Sequence, residues 1–114
     1  MKNFDIYDRC ENFVVNIINL LESIPYRKSV GVISDQLIRS SGSVGANLYE
    51  ADNSRSKKEF LSCLSISLKE IQESRFWLKV LRRTNYAYSE KISIYEKEAL
   101  ELKLILGSIY HGYI

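Results

Sequence analysis

Apolar residues recur at alternating steps of four and three along most of this chain, and this spacing constrains the fold more than any other feature. In the first segment the repeat comprises Ile6, Cys10, Phe13, Ile17, Leu20 and Ile24. Residues at this spacing share one face of an α-helix and form the stripe that packs against other helices. The pattern predicts a helix over residues 5–23. Pro25 ends it, because proline lacks an amide proton and disfavours helical geometry in the residue before it.

The second segment, residues 28–50, keeps the helical period but contains a run of small residues. Residues 40–46 read Ser-Ser-Gly-Ser-Val-Gly-Ala, and the period is held by Ile33, Leu37, Val44 and Leu48. Each glycine inside a helix costs ~1 kcal/mol relative to alanine, so a continuous helix needs close packing against a neighbour as compensation. The rival interpretation, a phosphate-binding loop, lacks the required Gly-rich spacing with Lys and Ser/Thr. We expect a continuous, tightly packed helix.

Two more helices are predicted, over residues 56–84 and 89–110. The stretch Ser56-Lys57-Lys58-Glu59 has the form of a capping box, and Asn85 suits a C-terminal cap. Ser89, followed by Glu90, suits the N-terminal cap of the last helix. Four helices with short links predict an all-α fold, an up-down antiparallel four-helix bundle that forms one domain over residues 1–114.

Composition and the N-terminus indicate a cytoplasmic protein. The chain is 46% hydrophobic and 26% charged, with one proline, which is typical of a packed domain and not of a disordered tail. It shows no signal peptide and no apolar run approaching the ~18 residues of a membrane span. Cys10 and Cys63 each fall within an apolar stripe, so buried free thiols are expected rather than a disulfide or a metal site.

The residue types that carry catalysis are missing or isolated. A di-iron site in a helical bundle needs two Glu-x-x-His pairs, and the sole histidine is His111 near the C-terminal end. The serines lack a nucleophile-elbow pattern and a candidate base. Glu70 and Glu73 share a helical face, where ion pairing is the expected outcome. We therefore expect a protein that is not an enzyme and that has no catalytic residues, metal site or cofactor.

Positive charge is concentrated in the middle of the chain. The formal net charge is +2, but residues 27–83 hold eleven Lys/Arg against six Asp/Glu. A local density of basic side chains binds phosphates even where net charge is small. The candidates for nucleic-acid binding, if oligomerisation gathers them on one rim, are Arg55, Lys57, Lys58, Arg75, Lys79, Arg82 and Arg83. The alternative is simple solvation of helix faces.

The aromatic content is high for a bundle of this size. Eight tyrosines, four phenylalanines and Trp77 are present, and Phe76-Trp77-Leu78 places apolar groups on more than one side of the third helix. A second apolar face implies a partner, and an identical subunit is the simplest one. Burial of Trp77 inside its own bundle is the alternative.

Several stretches resemble a known bacterial family. They are residues 39–51 (Arg-Ser-Ser-Gly-Ser-Val-Gly-Ala-Asn-Leu-Tyr-Glu-Ala), 58–61 (Lys-Glu-Phe-Leu), 67–73 (Ser-Leu-Lys-Glu-Ile-Gln-Glu) and 77–78 (Trp-Leu). They resemble the four-helix-bundle proteins encoded in intervening sequences of 23S ribosomal RNA genes. The accessory variability determinant of diversity-generating retroelements is related to these proteins.

This resemblance implies a homopentameric barrel in which the small residues lie inside a continuous second helix. It also implies that Asn47, Glu50, Glu70 and Glu73 make polar contacts at helix or subunit junctions rather than an active site. The retroelement relatives resemble basic pentamers that bind nucleic acid and a reverse transcriptase. The weak charge of this chain departs from them, although five copies at +2 each would carry +10.

Two functional hypotheses follow. In the first, the protein is a pentameric scaffold that binds RNA or DNA, or a reverse-transcriptase-type partner, and loss of charge at Arg82 and Arg83 weakens binding. In the second, it is a protein-only adaptor or a passenger of a mobile element, and it retains no nucleic acid even at low salt.

Overall fold

The computed structural model describes residues 4–113, with side chains described from residue 6 onward. Over this range the chain contains helices and no strand, so the predicted all-α class is confirmed. A short 3₁₀ turn precedes the last helix. The elements are α1 (Phe4–Ser23), α2 (Lys28–Asp52), α3 (Lys57–Thr84), the 3₁₀ turn (Tyr86–Tyr88) and α4 (Ser89–Tyr113).

Contacts at the two ends of the bundle establish the direction of the helices. Tyr7, near the start of α1, donates to Oδ1 of Asp52 at the end of α2 over 2.9 Å. At the opposite end, Nζ of Lys91 at the start of α4 donates to Ser23 at the end of α1 over 3.0 Å. Each helix packs against its neighbours in sequence, and α4 packs back on α1. With links of a few residues, this is an up-down arrangement of antiparallel neighbours.

The core runs along the whole bundle, whose longest dimension is 45 Å. At about 1.5 Å per residue, the 28 residues of α3 span nearly all of that length. All six residues of the predicted α1 stripe are buried, and Leu37, Leu64, Ile71, Leu78, Leu102 and Leu106 face them with no exposed surface. The period of three and four therefore identified the buried face correctly.

Small polar residues bring α2 and α3 close together. The hydroxyls of Ser40 and Ser74 lie 2.8 Å apart, and Ser67 Oγ donates to the carbonyl of Val44 over 2.8 Å. All three serines are fully buried. Because each hydroxyl has a partner, the two backbones approach closely without an unsatisfied polar group. The predicted continuous second helix is present, and its small residues form this contact.

A glycine allows the corresponding approach of α1. A Cβ atom on Gly45 would lie 3.4 Å from Cβ of Cys10 and 3.7 Å from the Cys10 carbonyl carbon. Cys10 is completely buried at this crossing, and burial raises its thiol pKa to about 12. Cys63 is also a free thiol but is only half-buried, so its predicted burial is wrong. It lies at the edge of the α3 stripe, beside Glu50.

The helix ends follow the capping signals in part. Ser56 precedes α3, and its hydroxyl accepts from the Glu59 amide over 3.1 Å. The Glu59 carboxylate accepts from the amide of Arg55, one residue before the amide that a capping box would use. Asn85 caps α3, and its side-chain amide donates to the carbonyl of Leu81. Ser89, the predicted cap of α4, is instead the first helical residue after the 3₁₀ turn.

Within residues 4–113, no helix combines the length and the apolar character that a bilayer crossing requires.

Candidate interaction surfaces

An ionic cluster joins α2 and α3 on the outside of the bundle. Arg39 of α2 forms ion pairs with Glu70, at 3.3 Å, and with Glu73. The indole Nε1 of Trp77 donates to Oε2 of Glu73 over 3.2 Å. These hydrogen bonds, above all the one from Arg39, lower the pKa of the Glu73 carboxyl. The two glutamates therefore form ion pairs across the junction between α2 and α3, which is a structural role.

The other two polar residues suggested by the resemblance lie farther along α2. Asn47 donates to the carbonyl of Ser43 one turn earlier in its own helix, over 2.9 Å. Glu50 is exposed near the end of α2, where it lines a shallow depression with Glu59 and Cys63. Within the described residues, neither the Asn47 side chain nor the Glu50 side chain forms a hydrogen bond to another helix.

The seven predicted basic residues do not form one site in a single copy. Arg55, Lys57 and Lys58 are exposed at the start of α3, and we call them the basic end cluster. Arg75, Lys79, Arg82 and Arg83 lie at least 17 positions farther along α3, about 25 Å away at the helical rise.

Two of the arginines in the second group already have partners. Arg82 Nε donates to Oε1 of Glu96 on α4 over 2.6 Å, and Arg75 donates to Gln72 one turn before it. Within the described residues, no carboxylate lies within 4.0 Å of a cation of the basic end cluster. Arg82 is therefore neutralised by a carboxylate, whereas Arg75 keeps its charge because the Gln72 amide is neutral, and the three cations of the end cluster keep theirs.

Exposed apolar side chains and cations lie on the outer side of α3 and α4, and we call this surface the α3–α4 ridge. Phe76 is 57% exposed, and on α4 Leu100 and Leu104 are 41% and 62% exposed. Its cations are Arg75, Lys79 and Lys97, which line a shallow groove of about 250 Å³ together with Leu100 and with Glu96, the partner of Arg82. The ridge thus combines exposed apolar side chains with positive charge.

A concave apolar surface lies between α1 and α2, and we call it the α1–α2 groove. It measures about 310 Å³ and is lined by Cys10, Glu11, Val14, Gly42, Gly45, Ala46 and Tyr49. It is concave because the α2 side is built from glycine and alanine. Ile18 and Ile38 lie one helical turn from Val14 and Gly42, so the apolar surface continues beyond the groove itself.

Carboxylates lie along the side of the bundle that carries the α1–α2 groove. The hydroxyl of Tyr49 lies 3.4 Å from Glu11, and the negative charge of Glu11, with a smaller contribution from Asp8, raises the pKa of Tyr49. Toward the other end of the same helix pair, Glu22 and Asp35 line an open cavity of about 530 Å³. The groove is therefore acidic where the ridge is basic.

No group of three or more metal-ligating side chains comes together among the described residues. The carboxylates that do cluster, Glu70 with Glu73 and Glu98 with Glu101, are each joined by an arginine, Arg39 or Arg9 respectively. Because a guanidinium already occupies each of these acidic clusters, they are suited to holding helices together rather than to holding a cation.

Sequence reasoning missed three features of these surfaces. Arg39 was not predicted as the partner of Glu70 and Glu73, because pairing between helices depends on helix rotation. Lys97 was not among the predicted basic residues, although it lies beside Arg75 and Lys79. The α1–α2 groove also went unpredicted, although the small residues Gly42, Gly45 and Ala46 at steps of three and four were a usable signal.

These features define an all-α, up-down four-helix protein with paired polar junctions and two exposed apolar faces. The sequence profile of the family described as "23S rRNA-intervening sequence protein" matches residues 2–108. The chain belongs to this family.

A solved structure shares the fold along almost its whole length. It is a protein of unknown function from the S23 ribosomal protein family of Bacteroides thetaiotaomicron VPI-5482, with 34% sequence identity and a TM-score of 0.88. The match covers 97% of this chain and 99% of that one. No curated protein matches the chain.

Proposed function

We propose that this protein is a non-enzymatic scaffold of the bacterial cytosol that assembles from identical subunits and binds RNA. The observation that carries the proposal is the unpartnered apolar surface of the single copy. Phe76, Leu104 and Tyr49 are each more than half exposed. Side chains of this size, gathered on two faces, are typical of surfaces that another protein covers. The homopentamer is the assembly that the family resemblance suggests.

RNA is the favoured partner because of the basic end cluster. A closed ring whose axis runs along the helices places the same end of every subunit on one rim. Arg55, Lys57 and Lys58 of all subunits would then form a continuous basic rim. Binding by such a rim depends on local charge density, so the small net charge of +2 per chain does not argue against it.

The test is RNA binding at low and moderate salt by the variant Arg55→Gln/Lys57→Gln/Lys58→Gln. We expect the affinity for a mixed pool of single-stranded and structured RNA to fall roughly tenfold or more at low salt, with a smaller salt dependence, because phosphate contacts are lost. Lys28→Gln/Lys91→Gln/Lys103→Gln removes the same charge elsewhere and should retain most of the affinity. Arg82→Gln/Arg83→Gln should have a smaller effect than the end-cluster variant, since Arg82 is paired with Glu96.

Equal losses in the end-cluster and control variants would contradict a site at the basic rim. If the unmodified protein retains no RNA even at low salt, the proposed RNA binding is wrong. The protein-only adaptor, the passenger of a mobile element and the reverse-transcriptase-type partner would then be the hypotheses to pursue.

A further inference from the structure

We propose that the α3–α4 ridge of one copy docks into the α1–α2 groove of the next, so that subunits join head to tail through two different faces. This inference rests on the self-assembly proposed above and names the surfaces that carry it. The occupant of each surface is a second copy of this chain. Three observations support it, namely side-chain size, charge and the position of the two surfaces in the bundle.

The apolar side chains of the two surfaces are complementary in size. The groove is concave because Gly42, Gly45 and Ala46 provide almost no side-chain volume between α1 and α2. On the ridge, the large side chains of Phe76 and Leu104 have more than half of their surface exposed and are available to enter a concave surface. A large apolar side chain seated over small residues removes apolar area from water on both sides of a contact.

The charges favour a contact between unlike faces. Glu11 and Asp8 lie beside Tyr49 of the groove. Lys79 and Lys97 belong to the ridge, where the carboxylate of Glu96 is already paired with Arg82. A symmetric contact of groove with groove would bring carboxylates together, and a contact of ridge with ridge would bring cations together. Like charges across an interface suppress such pairings, whereas opposite charges steer the correct one. Groove against ridge is therefore the favoured combination.

The position of the two surfaces determines the type of assembly. In this bundle α1 contacts α2 and α4, and α3 contacts α2 and α4, so the α1–α2 pair and the α3–α4 pair occupy different sides. An interface between two different sides is heterologous, and repetition of it gives a closed ring or an open filament. Both faces are then covered in every subunit of a ring. The basic end cluster lies at the end of the bundle, outside both surfaces, and stays available to RNA.

The inference predicts the outcome of a charge-swap experiment on the full-length protein. The groove variant is Asp8→Lys/Glu11→Lys, and the ridge variant is Lys79→Glu/Lys97→Glu. At a protein concentration where the unmodified chain is assembled, each variant should shift to the mass of the 13.2 kDa monomer. The combined variant, with all four substitutions in one chain, should recover the native mass because its groove and ridge are again opposite in charge.

Two further samples separate the inference from its alternatives. Arg55→Glu/Lys57→Glu reverses charges outside both surfaces and should keep the native mass. A mixture of the groove and ridge variants should associate although neither does alone, because each contact between unlike copies joins opposite charges. Strict alternation cannot close a ring of five, so pairs and open chains are the expected products, and their formation requires both variants to be folded.

Native mass in both single-surface variants, or a combined variant that stays monomeric, would overturn the groove-and-ridge contact while leaving self-assembly intact. A monomeric unmodified protein would overturn the proposed assembly itself.

Discussion

Replacing Phe13 with alanine is expected to lower the free energy of unfolding by about 3–5 kcal/mol, the usual range for deleting a fully buried aromatic side chain. Phe13 is 1% exposed and lies in the middle of the α1 stripe. Its loss leaves a cavity between helices that neighbouring side chains fill only in part. Urea unfolding followed by circular dichroism measures the change, at one protein concentration for all variants because assembly adds to stability.

The control for this prediction is Ile94→Ala on α4. Ile94 is 60% exposed, so its truncation should change the unfolding free energy by about 0.5 kcal/mol or less. If Phe13→Ala were no more destabilising than Ile94→Ala, the placement of the α1 stripe in the core would be wrong.

The second large effect is expected at the α2–α3 contact. Ser67→Leu should destabilise the protein by about 1–3 kcal/mol through overpacking, and by about 1 kcal/mol more through the lost hydrogen bond. Ser67 is fully buried, and its hydroxyl donates to the backbone of Val44, so a leucine side chain has no space unless the helices separate. The same unfolding measurement gives the change.

A matched control lies two residues away. Ser65 is exposed, and its hydroxyl bonds only to the carbonyl of Ser62 in its own helix. Ser65→Leu is the same chemical change on the outer face of α3 and should alter stability by about 0.5 kcal/mol or less. Comparable losses at both positions would show that small residues are not required between α2 and α3.

The four-helix bundle could be predicted from the sequence because the buried face and the ends of a helix depend on residues close together in the chain. The spacing of Ile6 through Ile24 identifies the buried face of α1, and Pro25 and Ser56 mark where helices end and begin. These signals act within a few residues of the chain. Tyr113, where the structure ends α4, lies three residues beyond the predicted end at Tyr110, so the helix continues through Gly112.

The interaction surfaces were harder to predict because they combine residues from two helices. The period of α3 places Lys79 on its surface but does not say that Lys97 of α4 lies beside it. Likewise, Glu73 was expected to be paired, yet the choice of Arg39 depends on how α2 is rotated against α3. The rotation of each helix about its own axis, and its position along the bundle, are set by the packing of the whole core. The grouping of basic residues into an end cluster and a ridge therefore required the three-dimensional arrangement.

Self-assembly would account for the exposed apolar faces and the separated charges together. In a monomer, Phe76, Leu100 and Leu104 remain in contact with water, and so does the lining of the α1–α2 groove. In the proposed assembly these surfaces cover one another and the basic end cluster is repeated around a rim. Loss of assembly should then also weaken RNA binding, since the rim no longer exists.

The most direct test of self-assembly is the mass of the unmodified protein in solution, measured by light scattering across a range of concentrations. The account predicts a stable particle of five copies of the 13.2 kDa chain, about 66 kDa, at moderate salt. A particle of 13.2 kDa at every concentration would contradict it, because the ridge and the groove would then have no second copy to cover them.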